Sequence, residues 1–261
     1  MIRLACCGLM AMALLSVAQD RPRAQDTALP VRVAAAADVK YALDEAAVRL
    51  ARHQPSIRVE ATYGSSGSMH AQLRQRAPFD VYLSADIDYP RDLVSQGIGS
   101  DRDLFTYAVG RLVVWVPRTS RLAIEREGLS ALTGAARIAI ANPRHAPYGK
   151  AAEAALRQAG IWSRVSRRMV LGENVAQAAQ FVQSGAADAG IIAKSLAVAP
   201  NLRAAGRSWD IPQNVHPRLI QGGLILPWAR SREAAIRFRD FLLSDEGRQL
   251  LVVNGFDLPT R

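Results

Sequence analysis

Cysteine is nearly absent from this chain of 261 residues, which has only Cys6 and Cys7. The two are adjacent and lie in the opening apolar stretch, so a disulfide between distant segments and a zinc site built from several cysteines are excluded. The four histidines have no metal-ligand spacing. The sequence therefore favours neither cysteine chemistry nor a histidine-based metal site.

Lysine is also scarce. The chain has 33 basic residues, of which three are lysines, and with 23 acidic residues its formal net charge is +10. The arginines are spread over the whole chain, whereas nucleic-acid-binding proteins concentrate basic residues on one surface and interleave aromatic ones. We therefore expect no nucleic-acid partner, and a solvated basic surface that attracts small anions at long range.

One long apolar run is present, at the N-terminus, and no second one follows it. It covers residues 4–18 (LACCGLMAMALLSVA), directly after Arg3, and is shorter than the roughly 20 apolar residues that a membrane span needs. Ala18 and Ala24 offer alternative cleavage sites. We predict a signal peptide over residues 1–24 and export of the mature protein to the periplasm.

A strand, a tight turn and a helix recur along the rest of the chain. Residues 31–37 (VRVAAAA) have the continuous apolar character of a buried strand, and from Val39 the apolar residues recur at helical spacing. Similar successions occupy residues 57–76 and 137–159. Strands that alternate with helices indicate parallel sheets with right-handed connections.

This pattern restarts in the middle of the chain, which predicts two lobes. We predict an α/β fold in which each lobe is a mostly parallel sheet flanked by helices. The first lobe takes residues 25–108, the second takes 109–214, and residues 215–261 return to the first with a helical segment that breaks near Gly247. No linker rich in Gly, Ser or Pro separates the lobes, so we expect a two-strand hinge.

Short turns of polar or small residues follow four of the predicted strands, each at a helix start. They lie at Asp38 and at residues 65–68, 147–149 and 174–175. In open αβ sheets, ligands collect outside the carboxyl ends of strands, and each helix start offers free amides and about half a positive charge. Four such starts around one cleft suit a small oxyanion.

With these turns in place, the sequence resembles the periplasmic molybdate-binding proteins of ABC importers, which have the two-lobed type II periplasmic-binding-protein fold. The resemblance covers nearly all of the predicted mature chain. Its motifs are VRVAAAADVKYALDE, YGSSGSMHAQLRQRAPFDVYLSAD, ANPRHAPYGKAAEAAL, GENVAQAAQFVQSGAADAGII and the ending Asn254-Gly255-Phe256.

The resemblance implies a function. It implies capture of molybdate or tungstate between the lobes and delivery to an ABC permease in the inner membrane, with no cofactor and no directly bound metal. A monomer is the expected form of such a carrier. Catalysis is not indicated, because the turn GSSGS lacks the final glycine of a nucleophile elbow, and we expect no enzyme activity.

The resemblance also implies binding residues. The family's central serine of the second turn falls on Ser66, and the backbone amides of the third and fourth turns fall on Tyr148 and Val175. The chain departs from the family twice: Asp38 replaces a serine, and Ala193 replaces a tyrosine found in some members. The Tyr148 hydroxyl is a candidate replacement donor. Further candidate residues are Ser65, Asn174 and Lys194.

Asp38 is the departure with the largest consequence. A carboxylate about 4 Å from a dianion is repelled by roughly 8 kcal/mol at an effective dielectric constant near 20. Three arrangements avoid this: Asp38 caps the amides of Lys40 or Tyr41, or it is protonated, or it accepts a proton carried by the ligand. The third favours hydrogen phosphate or hydrogen arsenate. A metal cation held by Asp38, Asp80 and Asp86 is another alternative.

Overall fold

The computed structural model of the protein describes residues 30–259, so the signal peptide predicted over residues 1–24 lies outside the described residues. The strands in this part of the chain are β1 (Val31–Ala36), β2 (Val59–Gly64), β3 (Val81–Ser84), β4 (Leu104–Gly110), β5 (Leu112–Pro117), β6 (Ile138–Ala141), β7 (Met169–Gly172), β8 (Ala189–Ala193), β9 (Gly206–Asp210) and β10 (Leu219–Ile225).

The helices alternate with these strands over much of the chain. They are α1 (Lys40–His53), α2 (Ser66–Arg74), α3 (Asp88–Ser95), α4 (Ile124–Glu127), α5 (Pro147–Gln158), α6 (Trp162–Val165), α7 (Val175–Gln183), α8 (Lys194–Ala197), α9 (Pro200–Ala205), α10 (Arg232–Leu243) and α11 (Asp245–Val253). A short 3-10 helix, Ala37–Val39, connects β1 to α1.

The strands form two five-stranded sheets with similar plans. The first has the order β2-β1-β3-β10-β4, and the second has the order β7-β6-β8-β5-β9. In the first sheet β10 is antiparallel to both of its neighbours, and in the second β5 is. Both sheets are therefore mixed. Four of the five strands in each run in the same direction, in agreement with the prediction, whereas two of the four strand pairs in each are parallel and two are antiparallel.

The chain passes between the sheets at two places. Arg111 alone separates β4 in the first sheet from β5 in the second, and residues 211–218 lead from β9 back to β10. Close to the first crossing, Val109 and Asp257 exchange backbone hydrogen bonds of 2.8 and 2.9 Å. The two crossings agree with the predicted two-strand hinge.

Each sheet packs its own apolar core against its helices. On α1 the apolar residues Ala42, Leu43, Ala46 and Leu50 are buried against the first sheet, whereas Ala47 of the predicted apolar face is only partly buried. Trp115 of β5 is the largest fully buried side chain and lies in the core of the second sheet. Each buried side chain of this size contributes about 1.5–3 kcal/mol, so the helices are fixed by packing on the sheets.

Local chemistry explains three helix boundaries. The hydroxyl of Ser65 caps α2, which therefore begins at Ser66. Pro147 occupies the first turn of α5, where its fixed φ and missing amide suit a helix start. The closing segment breaks at Ser244 rather than near Gly247, because the Ser244 hydroxyl accepts the Gly247 amide at 3.2 Å.

Candidate functional site

A small cavity lies where helix starts from the two sheets meet. The predicted residues Asp38, Ser66, Tyr148 and Val175 all line it. The remaining lining residues are Ala36, Ala37, Gly64, Ser65, Ala85, Ala146, Pro147 and Asn174. Among the lining residues that the structure describes, none is Lys or Arg.

Strand register places these turns side by side. Ala36, the last residue of β1, pairs with Gly64, the last residue of β2, so Asp38 and Ser66 follow from adjacent strand ends. In the second sheet Ala141 pairs with Gly172 in the same way. The parallel pairing within each sheet therefore brings two helix starts to one edge, and the two edges face each other across the cavity.

Ser66 presents a hydroxyl that is ready to donate. Its side chain is fully buried, and its Oγ accepts a hydrogen bond from the Ala85 amide at 2.9 Å. Its carbonyl accepts from the Tyr82 hydroxyl at 2.7 Å, which holds the turn in place. Because Oγ is used as an acceptor by Ala85, its own hydrogen remains for a ligand oxygen.

The amides of Tyr148 and Val175 are the other donors. Each begins a helix, and neither donates a hydrogen bond to any residue that the structure describes. The Asn174 side chain accepts from the amides of Ala176 and Gln177, both at 3.0 Å, so the Val175 amide is the one left at this helix start. Such amides carry the positive end of the helix dipole and suit an anion.

Ser65 and Asn174 line the cavity, but their side-chain oxygens act as helix caps. The Ser65 hydroxyl accepts from the Ser68 amide at 3.2 Å and also lies 2.8 Å from Nδ1 of His145. Asn174 and Gln177 have the spacing of a capping box, but only half of it forms, because the Gln177 side chain accepts from the amide of Glu173 rather than from that of Asn174. We assign these two residues to positioning the helix starts.

Asp38 lines the cavity and does not cap its helix. Asp38 is 1% exposed. Within the described residues, its carboxylate accepts no hydrogen bond from the amides of Lys40 or Tyr41. Gln221 Nε2 donates to its Oδ2, whereas its Oδ1 is buried without a hydrogen-bond partner in the described structure. Burial raises the pKa of Asp38 to about 6, although the hydrogen bond from Gln221 lowers it in part. The capping arrangement is therefore wrong.

Gln221 and Tyr107 belong to the site and were missed by sequence reasoning. The Tyr107 hydroxyl donates to Gln221 Oε1 at 2.7 Å, which turns Nε2 towards Asp38 and towards the Tyr148 hydroxyl at 3.3 Å. Burial and the Asp38 charge raise the pKa of Tyr107 and Tyr148 well above the usual value, so both hydroxyls keep their protons. A glutamine inside the apolar segment LIQGGLI was the available signal.

Several hydrogen bonds join the two halves of the cavity. The Gly67 amide, at the start of α2, donates to the carbonyl of His145 at 2.9 Å. The Ser195 hydroxyl, on α8 beside the second sheet, donates to the carbonyl of Asp38 at 2.8 Å. These contacts hold the facing edges of the two sheets together beside the cavity.

The comparisons with known proteins agree with this architecture. The family described as bacterial extracellular solute-binding protein matches residues 31–257. The chain belongs to this family. Its family membership is consistent with a site that holds a small solute between two sheets.

Relatives of this solute-binding protein include two proteins named molybdate-binding protein ModA. The one from Rhodobacter capsulatus is 32% identical over 198 residues, 76% of this chain and 77% of that protein. The one from Azotobacter vinelandii is 30% identical over 232 residues, 88% and 91% of the two chains. The solved Azotobacter vinelandii periplasmic molybdate-binding protein has 29% identity and a TM-score of 0.80, covering 88% of this chain and all of that one. The two-lobed type II fold is confirmed.

Two further candidate residues of this solute-binding protein lie outside the cavity. Ala193 is buried in β8, where it pairs with Leu112. The Lys194 ammonium lies 2.7 Å from Asp210 at a half-exposed position. The expectation that these residues reach the ligand is not supported, because the chain turns into α8 directly after β8. The neighbouring Ser195 makes the contact with the site instead.

The acidic residues proposed for a cation are not brought together. The Asp80 carboxylate accepts hydrogen bonds from the backbone amides of Arg32 and Arg230, at 2.7 and 2.8 Å. Asp80 therefore has a structural role in the first sheet. Asp86 lines a separate surface depression. Within residues 30–259 no group of three or more His, Cys, Asp or Glu side chains could hold a metal ion. The cavity thus offers a cation one carboxylate, from Asp38.

Proposed function

We propose that this protein is the solute-binding component of an ABC importer and captures a tetrahedral oxyanion, with molybdate or tungstate as the preferred ligand. The observation that carries this proposal is the cavity into which Ser66, Tyr148 and Val175 present donors from both sheets. The names of the two ModA relatives support molybdate as the ligand.

The proposed mechanism is capture by lobe closure. The Ser66 hydroxyl and the helix-start amides replace the hydration shell of the anion, and main-chain dipoles neutralise its charge. Closure about the two crossings buries the ligand, and a permease in the inner membrane recognises the closed form. Selection of molybdate and tungstate over sulfate comes from cavity size, because the three anions accept hydrogen bonds in similar ways.

The remaining parts of the proposal concern organisation and location. We propose that residues 1–24 are a signal peptide, that the protein works in the periplasm as a monomer, and that it uses no cofactor. The proposed lobes are residues 25–108 with 215–261, and residues 109–214. The grouping of β1–β4 with β10 in one sheet and of β5–β9 in the other supports this division, although β4 extends to Gly110.

A panel of oxyanions tests the proposal. We expect molybdate and tungstate to raise the melting temperature of the purified protein and to give saturable heats in titration calorimetry, with weaker effects from sulfate. Hydrogen phosphate belongs in the panel because Asp38 offers an acceptor for a protonated oxyanion. Absence of any response to all four anions would remove the proposed function.

A further inference from the structure

The donors of the cavity leave one group unexplained, the carboxyl of Asp38. Asp38 lines the cavity, and its Oδ1 is buried and has no hydrogen-bond partner in the described structure. Its Oδ2 is already bound by Gln221 Nε2. A buried acceptor without a donor is costly, so a bound molecule that supplies a hydrogen to Oδ1 would be favoured.

A fully ionised oxyanion supplies no hydrogen. Its oxygens accept hydrogen bonds, as carboxylate oxygens do, so two acceptors would face each other with like charges. No Lys or Arg is among the described lining residues, so no cation in the cavity wall offsets this repulsion. One proton between the two groups removes both problems, because it lowers the net charge and makes a strong charge-assisted hydrogen bond.

We propose that the oxyanion occupies this cavity together with one proton, which lies in a hydrogen bond between Asp38 Oδ1 and an oxygen of the anion. The proposal rests on the proposed function, because it concerns the same site and the same class of ligand. Asp38 is then the residue that requires a proton at the site, and it sets the pH range in which dianions are captured.

The surroundings of Asp38 assign this proton to the carboxyl–ligand pair. Tyr107 of β4 and Tyr148 of α5 are the titratable groups that the charge of Asp38 influences. Two ammonium groups lie near it in the chain or through a contact: Lys40 begins α1 directly after the 3-10 helix of Asp38, and Lys194 precedes Ser195, whose hydroxyl donates to the Asp38 carbonyl. Both tyrosines stay protonated, and both ammonium groups are paired with carboxylates elsewhere, Asp44 and Asp210. Helix α7 carries no titratable residue.

The proton balance depends on the ligand. Molybdate arrives as a dianion, so its binding to ionised Asp38 takes up one proton from the buffer. Hydrogen phosphate brings its own proton, so its binding takes up none. Burial raises the pKa of Asp38 in the free protein to about 6. Uptake with molybdate should therefore approach one proton at pH 8 and fall towards zero at pH 5.

Titration calorimetry in two buffers with different ionisation enthalpies, neither of them an oxyanion, measures this uptake. For the wild-type protein we expect close to one proton per molybdate at pH 8, and an affinity that falls about tenfold for each pH unit above 6. Asp38→Asn keeps the size of the side chain and provides an uncharged donor. We expect it to bind molybdate without proton uptake and more tightly than wild type at pH 8.

Asp86→Asn is the matched control. Burial also raises the pKa of Asp86, but that carboxyl lies outside the cavity, so its replacement should leave the uptake at one proton. Molybdate binding to wild type at pH 8 without proton uptake would overturn the inference while leaving the proposed function standing. If neither wild type nor Asp38→Asn binds any oxyanion, both fail. The wild-type measurement decides even if Asp38→Asn does not fold.

Discussion

The side-chain amide of Gln221 donates hydrogen bonds both to Asp38 and to the hydroxyl of Tyr148. Asp38 follows the first strand of the first sheet, whereas Tyr148 begins a helix beside the second. Gln221 therefore links the two halves of the candidate site through one planar group, and Tyr107 fixes the orientation of that group by donating to its oxygen.

Replacement of Gln221 by Met tests this link. The change keeps the side-chain length but removes the hydrogen bond to Asp38 Oδ2, and it leaves the Tyr107 hydroxyl with a longer contact, 3.4 Å, to the Ser84 carbonyl. We expect a loss of about 1–3 kcal/mol in the free energy of unfolding, measured by urea denaturation. The pKa of Asp38 should rise further, because Gln221 lowers it in the wild type. An unchanged stability would show that Gln221 is not a structural partner.

The stability of the ligand-free protein should depend on the ionisation of Asp38. Its folded pKa of about 6 lies above the usual 3.8, so the folded state holds the proton more tightly. The associated stabilisation is complete below about pH 4 and is lost as pH rises through 6, a change of about 3 kcal/mol. Asp38→Asn lacks this change. We therefore expect the difference in unfolding free energy between wild type and Asp38→Asn to change as pH rises from 4 to 7. A difference that stays constant over this range would contradict the raised pKa of Asp38.

Loss of the Ser66 hydroxyl should weaken binding. Ser66→Ala removes the donor that faces the cavity, and we expect the binding free energy to fall by about 1–3 kcal/mol in calorimetry. Ser184→Ala is the control, because that hydroxyl lies at the far end of α7 and bonds the Phe181 carbonyl. Equal affinities of the two variants would exclude Ser66 from the site.

Gly110 should be intolerant of a side chain. A Cβ at this position would overlap the Tyr148 hydroxyl. We expect Gly110→Ala to displace Tyr148 and to cost about 1–3 kcal/mol of stability by overpacking, with weaker oxyanion binding. Gly134→Ala is a suitable comparison, since its Cβ would meet one flexible leucine methyl group at 3.3 Å. Thermal unfolding measures the loss of stability in both variants, and titration calorimetry measures their oxyanion affinity.

Lys194 should matter little for the ligand. Its ammonium is paired with Asp210 near the surface, and exposed ion pairs contribute about 0–1 kcal/mol. We therefore expect Lys194→Met to retain oxyanion affinity within about twofold, consistent with so small a contribution. A tenfold loss of oxyanion affinity in calorimetry would instead show that Lys194 contributes to the binding site.

Local patterns made most of the site predictable. The turns at Asp38, Ser66, Tyr148 and Val175 each follow a strand and start a helix, and parallel pairing then brings them to one edge. The contribution of Gln221 was not predictable in this way. It depends on β10 being inserted between β3 and β4, which is a long-range pairing.

The positions of Ala193 and Lys194 outside the cavity have a related cause. Sequence position puts both residues at a strand end, like the four turns that line the cavity, but it does not say which way the chain leaves the sheet. Here the chain enters α8 at once, so Lys194 points to Asp210, and Ser195 faces Asp38. The direction of a side chain after a strand is set by packing against elements distant in sequence.

The position of β10 also orders the assembly of the molecule. This strand lies between β3 and β4, yet it is synthesised after every strand of the second sheet. Until residues 219–225 arrive, the edges of β3 and β4 that face them have no backbone partners in the first sheet. A nascent chain that ends before this strand therefore holds a split first sheet, which keeps it from completing its fold before synthesis is nearly finished.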